Sequence, residues 1–491
     1  MISTREFDQK GATRTKWGSK DELIALSSKA TELGVGLYFD AVLNHKLGAD
    51  AKERCRVIEV EDENRNKDVG EPYEIEAWLG FNFPGRGDKY SKMKWHWEHF
   101  SGTDYNAENE KTAIYRILGD NKNWSQSVSD EHGNSDYMMG CDISFSHPAV
   151  QEDVLRWGKW IVETLNLKGF RFDAVQHFSQ HFTNSFIKML EKEFGKELFL
   201  VGEVWDGDVG NLTKWLSTME HKFSLFDAPL LNNFASISKT ERADLRKVFD
   251  NTLCQAAPSN AVTCVQNHDT QLGQTVETPV EGFFKPLAYA LILLRLDGYP
   301  IVFYGDLYGT KGPRAEPASC GGKLADLALA RSLYSYGEQN DYFNETNCIG
   351  WVRRGTWDKP DGCAVVMSNA EAGQIRMFVG ELHKGEVWTD VLGWSDERVC
   401  IGGDGFGMFN TPGVSVAVYV NEKADGRDRF GKFDDQIYKD DKAALALDES
   451  ERKGKEEAER KAKEEEKNKK EEAAEGNAAK TNGVTMSGNH P

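Results

Sequence analysis

The chain has 491 residues, of which 39% are apolar and 11% aromatic, and it carries a net charge of -19. This length predicts two or three domains, and the acidic balance argues against nucleic acid or anionic membranes as partners. No run approaches the roughly 20 apolar residues of a membrane span, and the opening MISTREFDQK lacks the apolar core of a signal peptide. The eight cysteines are scattered without CxxC spacing, which favours reduced thiols. We therefore expect a cytoplasmic protein. We also expect it to be a monomer.

Short apolar runs alternate with amphipathic stretches from Leu33 to about Tyr304, which predicts β/α units around a parallel sheet. An early helix is expected from Asp21 to Leu33. Six candidate strands follow it: GVGLYFDAVLNH, KGFRFDAV, ELFLVGEVW, KFSLFDAPL, AVTCVQNHD and YPIVFYGD. A helix that covers the sheet is predicted from the apolar face formed by Val154, Trp157, Ile161 and Leu165.

Two interruptions of this pattern define the expected domains. About a hundred residues separate the first two predicted strands, which is too long for an ordinary β/α loop and indicates an inserted domain. Short alternating strands such as CAVVMSN and VSVAVYV predict a β-sandwich near the C-terminus. We divide the chain into a first barrel part (1–45), an inserted domain (46–146), a second barrel part (147–341), a C-terminal β-sandwich (342–421) and a tail (422–491).

The tail is almost entirely Glu, Lys, Arg and Ala from Glu449 to Glu475, a composition that cannot bury a core. Pairs such as Glu451 with Lys455 have the spacing that supports an exposed helix. We expect a solvated helix or a disordered segment, with a partner-binding role as the alternative.

Three acidic residues, Asp173, Glu203 and Asp269, follow the separate predicted strands KGFRF, FLVG and VQNH. In a β/α barrel the C-terminal strand ends hold the active site. A single carboxylate at such a position could instead cap the next helix. Each of these, however, comes with other polar residues whose burial would be costly without a purpose. The pattern therefore favours a carboxylate-based active site.

Basic side chains accompany these carboxylates. Arg171 lies two residues before Asp173, so strand alternation points both side chains to the same face, where the guanidinium would keep the carboxylate ionised. His45, His177 and His268 end three of the strands and could hydrogen-bond the hydroxyls of a substrate.

Cleavage of an acetal bond with retention requires an ionised carboxylate that attacks the anomeric carbon and a carboxylic acid that protonates the leaving oxygen. Asp173, beside Arg171, fits the nucleophile. Glu203 follows an apolar strand and fits the acid, because desolvation raises a carboxyl pKa. Asp269 would bind ring hydroxyls and help to keep the proton on Glu203.

The blocks DAVLNH, GFRFDAVQH, GEVW and VQNHDT resemble, in order, the four sequence regions of the α-amylase family, glycoside hydrolase family 13. The stretch FNFPGRGDKYSKMKWHWEHFSGTDY, with NHKLGAD and HDTQLGQ, is similar to bacterial liquefying-type and intracellular fungal α-amylases. The resemblance runs from about Glu6 to Val420. It implies a (β/α)8 TIM-type barrel, here N-terminally incomplete with about six strands, an inserted domain after strand three and a C-terminal β-sandwich. It also implies endo-hydrolysis of α-1,4-glucosidic bonds in starch, glycogen and related glucans.

The resemblance assigns roles residue by residue. It places the nucleophile, the acid/base and the transition-state stabiliser on Asp173, Glu203 and Asp269. It places substrate contacts on His45, Arg171, His177 and His268. Two positions depart from the family pattern, since Gln176 replaces a lysine on the acceptor side and Gln266 replaces an aspartate that often precedes the NHD block.

A calcium ion is also implied by the resemblance, with ligands from Asn44, Asp136, Asp142 and the backbone carbonyl of His177. Such a site would lock the inserted domain against the barrel. Surface carboxylates without a metal are the alternative, because Asp and Asn also favour turns. Further metals of some bacterial relatives are not expected, because their aspartates correspond to Ser101, Ser125, Ser144 and Ser146.

Two alternatives to hydrolysis stay open at this point, a 4-α-glucanotransferase and an inactive glucan-binding protein. The opening EFDQKGATRTKWGSKDEL resembles the family segment that follows strand two. We therefore expect two strands and a helix, about 60 to 80 residues, to be encoded upstream.

Overall fold

A computed structural model describes residues 6–8, 11–15, 17–195 and 198–436. The predicted charged segment from Glu449 to Glu475 lies outside them. Six strands of the described residues form one parallel sheet in chain order, each paired with the next. They are Tyr38–Val42, Gly169–Asp173, Phe199–Gly202, Ser224–Phe226, Ala261–Thr263 and Tyr299–Pro300. Each falls within one of the six strands predicted from the sequence, and these predictions are confirmed.

Helices connect and cover these strands. Their bounds are Lys20–Glu32, Pro148–Leu165, Gln180–Phe194, Val209–Thr218, Ala228–Ser238, Leu253–Ala256, Lys285–Leu294, Tyr304–Tyr308 and Leu324–Tyr334. The first begins at a capping box in which Ser19 and Glu22 satisfy each other's backbone N–H groups. It agrees within one residue with the prediction.

The helix Pro148–Leu165 buries the predicted apolar face of Val154, Trp157, Ile161 and Leu165. It begins six residues before Val154, because Pro148 suits the first helical turn and the ring of His147 accepts from the N–H of Ala149. It ends at Asn166 in the left-handed conformation, a common helix stop.

The segment between the first two parallel strands contributes a six-stranded antiparallel sheet. In spatial order its strands are His45–Lys46, Cys141–Ile143, Phe100–Asn106, Lys111–Ile117, Ala51–Val60 and Asp68–Gly80. Its apolar side is fully buried and shares one core cluster with the parallel sheet. The pairing of His45 with Asp142 places this sheet next to the end of the first parallel strand.

The C-terminal part is a second antiparallel unit. Its larger sheet has six strands, in the order Gln339–Tyr342, Cys348–Arg353, Cys363–Ser368, Ser415–Asn421, Val387–Asp390 and Arg398–Cys400. The strands Gly373–Phe378 and Phe406–Thr411 form a two-stranded sheet. Met377 and Phe409 of this sheet and Trp388 of the larger sheet belong to one buried core cluster. All eight cysteines are free. Among the described residues, no helix has the length and apolarity needed to cross a membrane.

Candidate active site

One guanidinium on the strand Gly169–Asp173 joins three carboxylates from three neighbouring strands and their ends. Arg171 Nη1 donates to Asp40 Oδ1 at 2.6 Å and to Asp173 Oδ1 at 2.8 Å, and Nη2 lies 2.8 Å from Glu203 Oε2. Burial would lower the pKa of Arg171, but the charges of Glu203 and Asp40 outweigh it, and the pKa is raised. Arg171 is therefore a fixed positive charge that orients all three carboxylates.

The backbone after Asp173 brings Glu203 close. Ala174 adopts the left-handed conformation, with φ 46° and ψ 40°, which is costly for a residue with a Cβ. In this conformation its N–H donates to Glu203 Oε2 at 3.0 Å. The N–H of Val175 donates to the backbone carbonyl of Glu203 at 3.1 Å. The strained turn thus fixes the side chain of Glu203 beside that of Asp173.

The environment of Glu203 makes its carboxyl group easier to protonate than an ordinary glutamate. Burial raises its pKa above the ordinary value of 4.5, and the charges of Asp173 and Asp269 raise it further. Arg171 and the N–H of Ala174 act in the opposite direction without reversing the shift. The side chain is 15% exposed, so a substrate can still reach it. A raised pKa suits a carboxyl group to the role of general acid.

Asp269 is held by a turn after the strand Ala261–Thr263. The Oδ1 atom of Asn267 accepts from the N–H groups of Asp269 at 2.8 Å and Thr270 at 2.9 Å, and the Thr270 hydroxyl accepts from the N–H of Asn267. His268 Nε2 lies 3.0 Å from Asp269 Oδ2. The Asp269 side chain is 40% exposed, and its charge acts on Glu203. The three predicted carboxylates therefore lie close enough for the charges of Asp173 and Asp269 to act on Glu203.

The other two predicted histidines are more buried. His45 Nδ1 lies 3.2 Å from Asn44 Oδ1, and His177 Nδ1 lies 2.6 Å from the carbonyl oxygen of Ser135, to which it must donate. Burial lowers the pKa of both imidazoles. In each ring Nδ1 faces a protein oxygen, which leaves Nε2 as the nitrogen that can accept from a hydroxyl group. The Nε2 atom of His177 also lies 3.3 Å from Gln176 Nε2.

Asp40 is a site residue that the sequence analysis did not single out. It faces Arg171 in the parallel register of the strands Tyr38–Val42 and Gly169–Asp173. The signal is present in the DAVLNH block, whose first acidic residue stands on the strand before the one that bears Arg171. The pairing depends on the register between strands, which no local pattern specifies.

The four residues predicted to bind calcium converge on one point. Asn44 Nδ2 lies 2.9 Å from the carbonyl oxygen of Asp136, 3.1 Å from Asp142 Oδ1 and 3.1 Å from the carbonyl oxygen of His177. Three oxygens from the inserted segment and the barrel thus surround one side-chain amide. Because the amide nitrogen and oxygen are interchangeable by a flip, the group can present an oxygen to a cation at the same place.

The carboxylates of this cluster fit a divalent cation. Asp136 and Asp142 are 4% and 1% exposed, and neither forms an ion pair with Lys or Arg within the described ranges. Burial raises the pKa of Asp136 to about 7 and that of Asp142 well above its usual range. No three His, Cys, Asp or Glu side chains gather in a metal-binding arrangement in the described part of the chain. An ion here would be coordinated by two carboxylates and by amide and carbonyl oxygens, which are ligands that calcium accepts.

Four serines replace the aspartates that hold further metals in some relatives, and they form hydrogen bonds with one another or with Asp136 and Asp142. Ser101 Oγ donates to Asp142 Oδ2 at 2.6 Å, and the N–H of Ser125 donates to Asp136 Oδ2 at 2.8 Å. The hydroxyls of Ser144 and Ser146 are 2.9 Å apart. The Ser101 hydroxyl and the Ser125 N–H thus stabilise the two carboxylates, but the serine side chains supply no charge for a second ion.

A parallel β/α sheet that carries Asp173, Glu203 and Asp269 after three of its strands is typical of glycoside hydrolases that act with a pair of carboxyl groups. The family model for the α-amylase catalytic domain matches residues 8–351. The chain therefore belongs to the α-amylase family, as its sequence blocks predict.

Characterised relatives agree with this assignment. The chain is 43% identical over 420 residues to a glucan 1,4-alpha-maltohexaosidase of Bacillus sp. (strain 707), covering 85% of this chain and 81% of the relative. It is 42% identical to an alpha-amylase of Bacillus licheniformis, covering 84% and 81%. It is 40% identical to a cytoplasmic alpha-amylase of Escherichia coli (strain K12), covering 86% and 88%.

Solved structures show the same fold at lower identity. An alpha-amylase from Geobacillus thermoleovorans matches with a TM-score of 0.55 and 17% identity, covering 85% of this chain and 87% of that one. The cyclomaltodextrin glucanotransferase CldA matches with a TM-score of 0.55 and 17% identity, covering 82% and 79%. The expected fold class, a β/α barrel with a C-terminal β domain, is confirmed, and six of its parallel strands lie in the described residues.

Proposed function

We propose that this chain is an α-amylase that hydrolyses internal α-1,4-glucosidic bonds of starch, glycogen and related glucans with retention of configuration. The observation that carries the proposal is the Arg171 guanidinium, which lies 2.8 Å from both Asp173 and Glu203. Two carboxyl groups on one guanidinium are compatible with the separation of about 5 Å that retaining enzymes use. Family membership supports the choice of substrate.

The reaction follows from these positions in two displacements. Asp173 attacks the anomeric carbon and forms a glycosyl ester, while Glu203 gives its proton to the departing glucosidic oxygen. Glu203, now ionised, takes a proton from a water molecule, whose oxygen attacks the anomeric carbon and releases Asp173. Asp269 hydrogen-bonds the sugar hydroxyls and favours the distorted ring. His45, His177 and His268 orient the neighbouring sugars, with Arg171 holding the carboxylates in place.

We extend the proposal to one calcium ion bound by Asn44, Asp136, Asp142 and the carbonyl of His177. The charge of the ion would neutralise two buried carboxylates where the inserted segment meets the barrel. Its role is to fix the shape of the cleft, and it takes no part in bond cleavage.

Removal of calcium is expected to lower Tm and activity together. A ligand at a thousand times its Kd contributes about 4 kcal/mol to stability, which corresponds to several degrees in Tm. Asp142→Ala should reproduce the effect without chelator, and its Tm should no longer respond to chelation. Ser146→Ala, beside the cluster, is the matched control and should keep the response. A wild-type Tm that ignores chelation, or a titration that finds no tight site, would contradict the assignment.

Asp40→Asn tests the anchor of Arg171. Without the charge of Asp40 the guanidinium loses one of its three carboxyl partners, and Asp173 and Glu203 lose their fixed orientation. Misplacement of reacting groups by about 1 Å costs up to about 10²-fold. We expect kcat to fall by roughly 10- to 100-fold with little change in Tm. Steady-state kinetics on starch and thermal unfolding check this, and an unchanged kcat would show that Asp40 is dispensable.

Chromatography of the products from soluble starch distinguishes the candidate reactions. An endo-acting hydrolase produces a mixture of oligosaccharides and new reducing ends. A 4-α-glucanotransferase redistributes chain lengths without a net gain of reducing ends, and an inactive glucan-binding protein does neither. Either of the last two results would overturn the proposed function.

The remaining expectations belong to the same proposal. A cytoplasmic location is supported by the name of the Escherichia coli relative. The division into barrel parts, inserted domain, C-terminal sandwich and tail at 45, 146, 341 and 421 is kept as proposed. We also propose that the protein is a monomer, which size-exclusion chromatography with light scattering tests.

A further inference from the structure

One buried ion pair takes no part in the proposed hydrolytic mechanism. Lys285 Nζ lies 2.8 Å from Asp306 Oδ1, and the two side chains are 3% and 2% exposed. The hydroxyls of Ser319 and Tyr289 donate to the same carboxylate at 2.6 and 2.5 Å. An ammonium and two hydroxyls thus hold Asp306, and a buried charge pair with such partners is costly to disturb.

Glu316 connects this ion pair to the strand end that leads to Asp269. Its Oε1 atom lies 3.5 Å from Lys285 Nζ, and its Oε2 atom accepts from Nε2 of Gln266 at 3.4 Å. Gln266 is 2% exposed and immediately precedes the NHD block. Both contacts are at the long end of the hydrogen-bond range, so they draw their strength from charge at a largely buried place.

The backbone that carries Glu316 is fixed on both sides. The N–H of Glu316 donates to Thr310 Oγ1 at 2.8 Å, and the N–H of Thr310 donates to the carbonyl of Glu316 at 2.8 Å. The N–H of Ser319 donates to the carbonyl of Asp306 at 2.7 Å. The loop 309–319 therefore presents the Glu316 carboxylate from a set position, as a supporting side chain requires.

The same loop also contacts the chain after Asp269. The N–H of Thr278 donates to the carbonyl of Thr270 at 2.9 Å and closes the segment 271–277. Arg314 Nη1 lies 3.1 Å from Glu277 Oε2 in that segment, but Arg314 is 60% exposed. Exposed pairs of this kind contribute little. Glu316, which is 26% exposed, is therefore the stronger contact of the loop with the Asp269 turn.

The neutral amide of Gln266 suits this arrangement. It donates a hydrogen bond to Glu316 and leaves the charge of Lys285 to Asp306 and Glu316. A glutamate at position 266 would bring a further carboxylate to hydrogen-bond distance of Glu316, and like charges at that distance repel. Gln266 and Glu316 therefore depend on each other.

We propose that Glu316 is a positioning residue for Asp269, acting through Gln266 on the turn 267–270. This inference rests on the proposed function for the role of Asp269. In that role Asp269 binds the distorted sugar ring, a contact that is strongest in the transition state. A turn that loses its support should therefore lower kcat more than it raises KM.

Steady-state kinetics on starch test the effect of the side chain. We expect Glu316→Ala to lower kcat about 10-fold with KM changed less than about 2-fold, because small displacements of active-site groups are costly. Glu316→Gln keeps the volume and the acceptor for Gln266 but loses the charge, and it should fall between the wild type and Glu316→Ala. A kcat equal to that of the wild type in both variants would overturn the proposal.

Glu191→Ala is the matched control. Glu191 is 28% exposed and pairs with Lys222 at 3.2 Å, so it resembles Glu316 in burial and in partner. Lys222 precedes the strand Ser224–Phe226 and so lies at the opposite end of the sheet from the carboxylates. Glu191→Ala should keep the kcat of the wild type. An equal loss of kcat in this control would show a general effect of stability and would overturn the specific role of Glu316.

An exchange of the two side chains tests their contact. Gln266→Glu alone should lower kcat, because two carboxylates then face each other. The double variant Gln266→Glu/Glu316→Gln again has one carboxylate and one amide, and its kcat should return to within about 3-fold of the wild type, as expected for coupled neighbours. Losses that simply add in the double variant would show that the two residues act independently.

Calorimetry with acarbose tests whether Glu316 acts through Asp269. The flattened terminal ring of acarbose mimics the distorted sugar, so its binding reports the contact made by Asp269. We expect Glu316→Ala to raise its Kd about 10-fold in the wild type and less than about 2-fold in Asp269→Asn protein, because the two substitutions remove one interaction. Equal increases in both proteins would overturn the route through Asp269. A wild type that binds acarbose but does not cleave starch would instead overturn the proposed function, and the comparison of Kd values would still decide the role of Glu316.

Discussion

Asp173→Asn is expected to lower kcat on starch by roughly 10⁴- to 10⁶-fold, the range seen when a covalent nucleophile is removed. An amide cannot form the glycosyl ester, but its oxygen can still accept the hydrogen bond from Arg171 that the carboxylate accepts at 2.8 Å. The fold and the position of Glu203 should therefore persist, and Tm should change by no more than a few degrees. Release of reducing ends and thermal unfolding provide the two measurements.

Chemical rescue tests the role of Asp173 more sharply. Asp173→Ala leaves space in which azide can attack the anomeric carbon of an α-maltosyl fluoride, with fluoride as the leaving group. One displacement inverts the centre, so the product should be the β-azide. A product of α configuration, or a variant as active as the wild type, would assign the nucleophile to another residue.

The sequence specified the strands and their polar ends for a physical reason. Strands buried on both faces are continuous apolar runs, and the carboxyl ends of parallel strands must meet at one edge, so a run such as KGFRF followed by Asp173 predicts both element and location. The helix Pro148–Leu165 was recognisable because Val154 and Ile161 repeat with helical spacing.

Contacts between distant segments were not recognisable in the same way. The pairing of Asp40 with Arg171 depends on the register of two strands separated by more than a hundred residues. The left-handed Ala174 is imposed by its surroundings, since alanine has no preference for this conformation. Tertiary packing determines each of these features, and the local periodicity of the sequence does not predict them.

Glu203→Gln is expected to reduce hydrolysis of starch by roughly 10²- to 10⁴-fold, the usual contribution of a general acid–base. The effect should depend on the leaving group, unlike that of Asp173→Asn. An α-maltosyl fluoride needs no proton for departure, so formation of the glycosyl ester should recover, and its breakdown should become slow because no base activates water. Azide should accelerate the breakdown and give the α-azide, because two displacements restore the configuration. Equal losses on starch and on the fluoride would show that Glu203 is not the acid.

The pH profile gives an independent test of Glu203. Burial raises the pKa of this carboxyl above 4.5, and the first step requires its protonated form. Activity of the wild type on starch must therefore fall as the pH rises through this raised pKa. In Glu203→Gln the side chain does not titrate, so the step that forms the ester from the fluoride should show no such decline. Because Asp173 and Arg171 are unchanged in the variant, a decline that persists at the same pH would have to come from another group, and the assignment of the proton to Glu203 would be wrong.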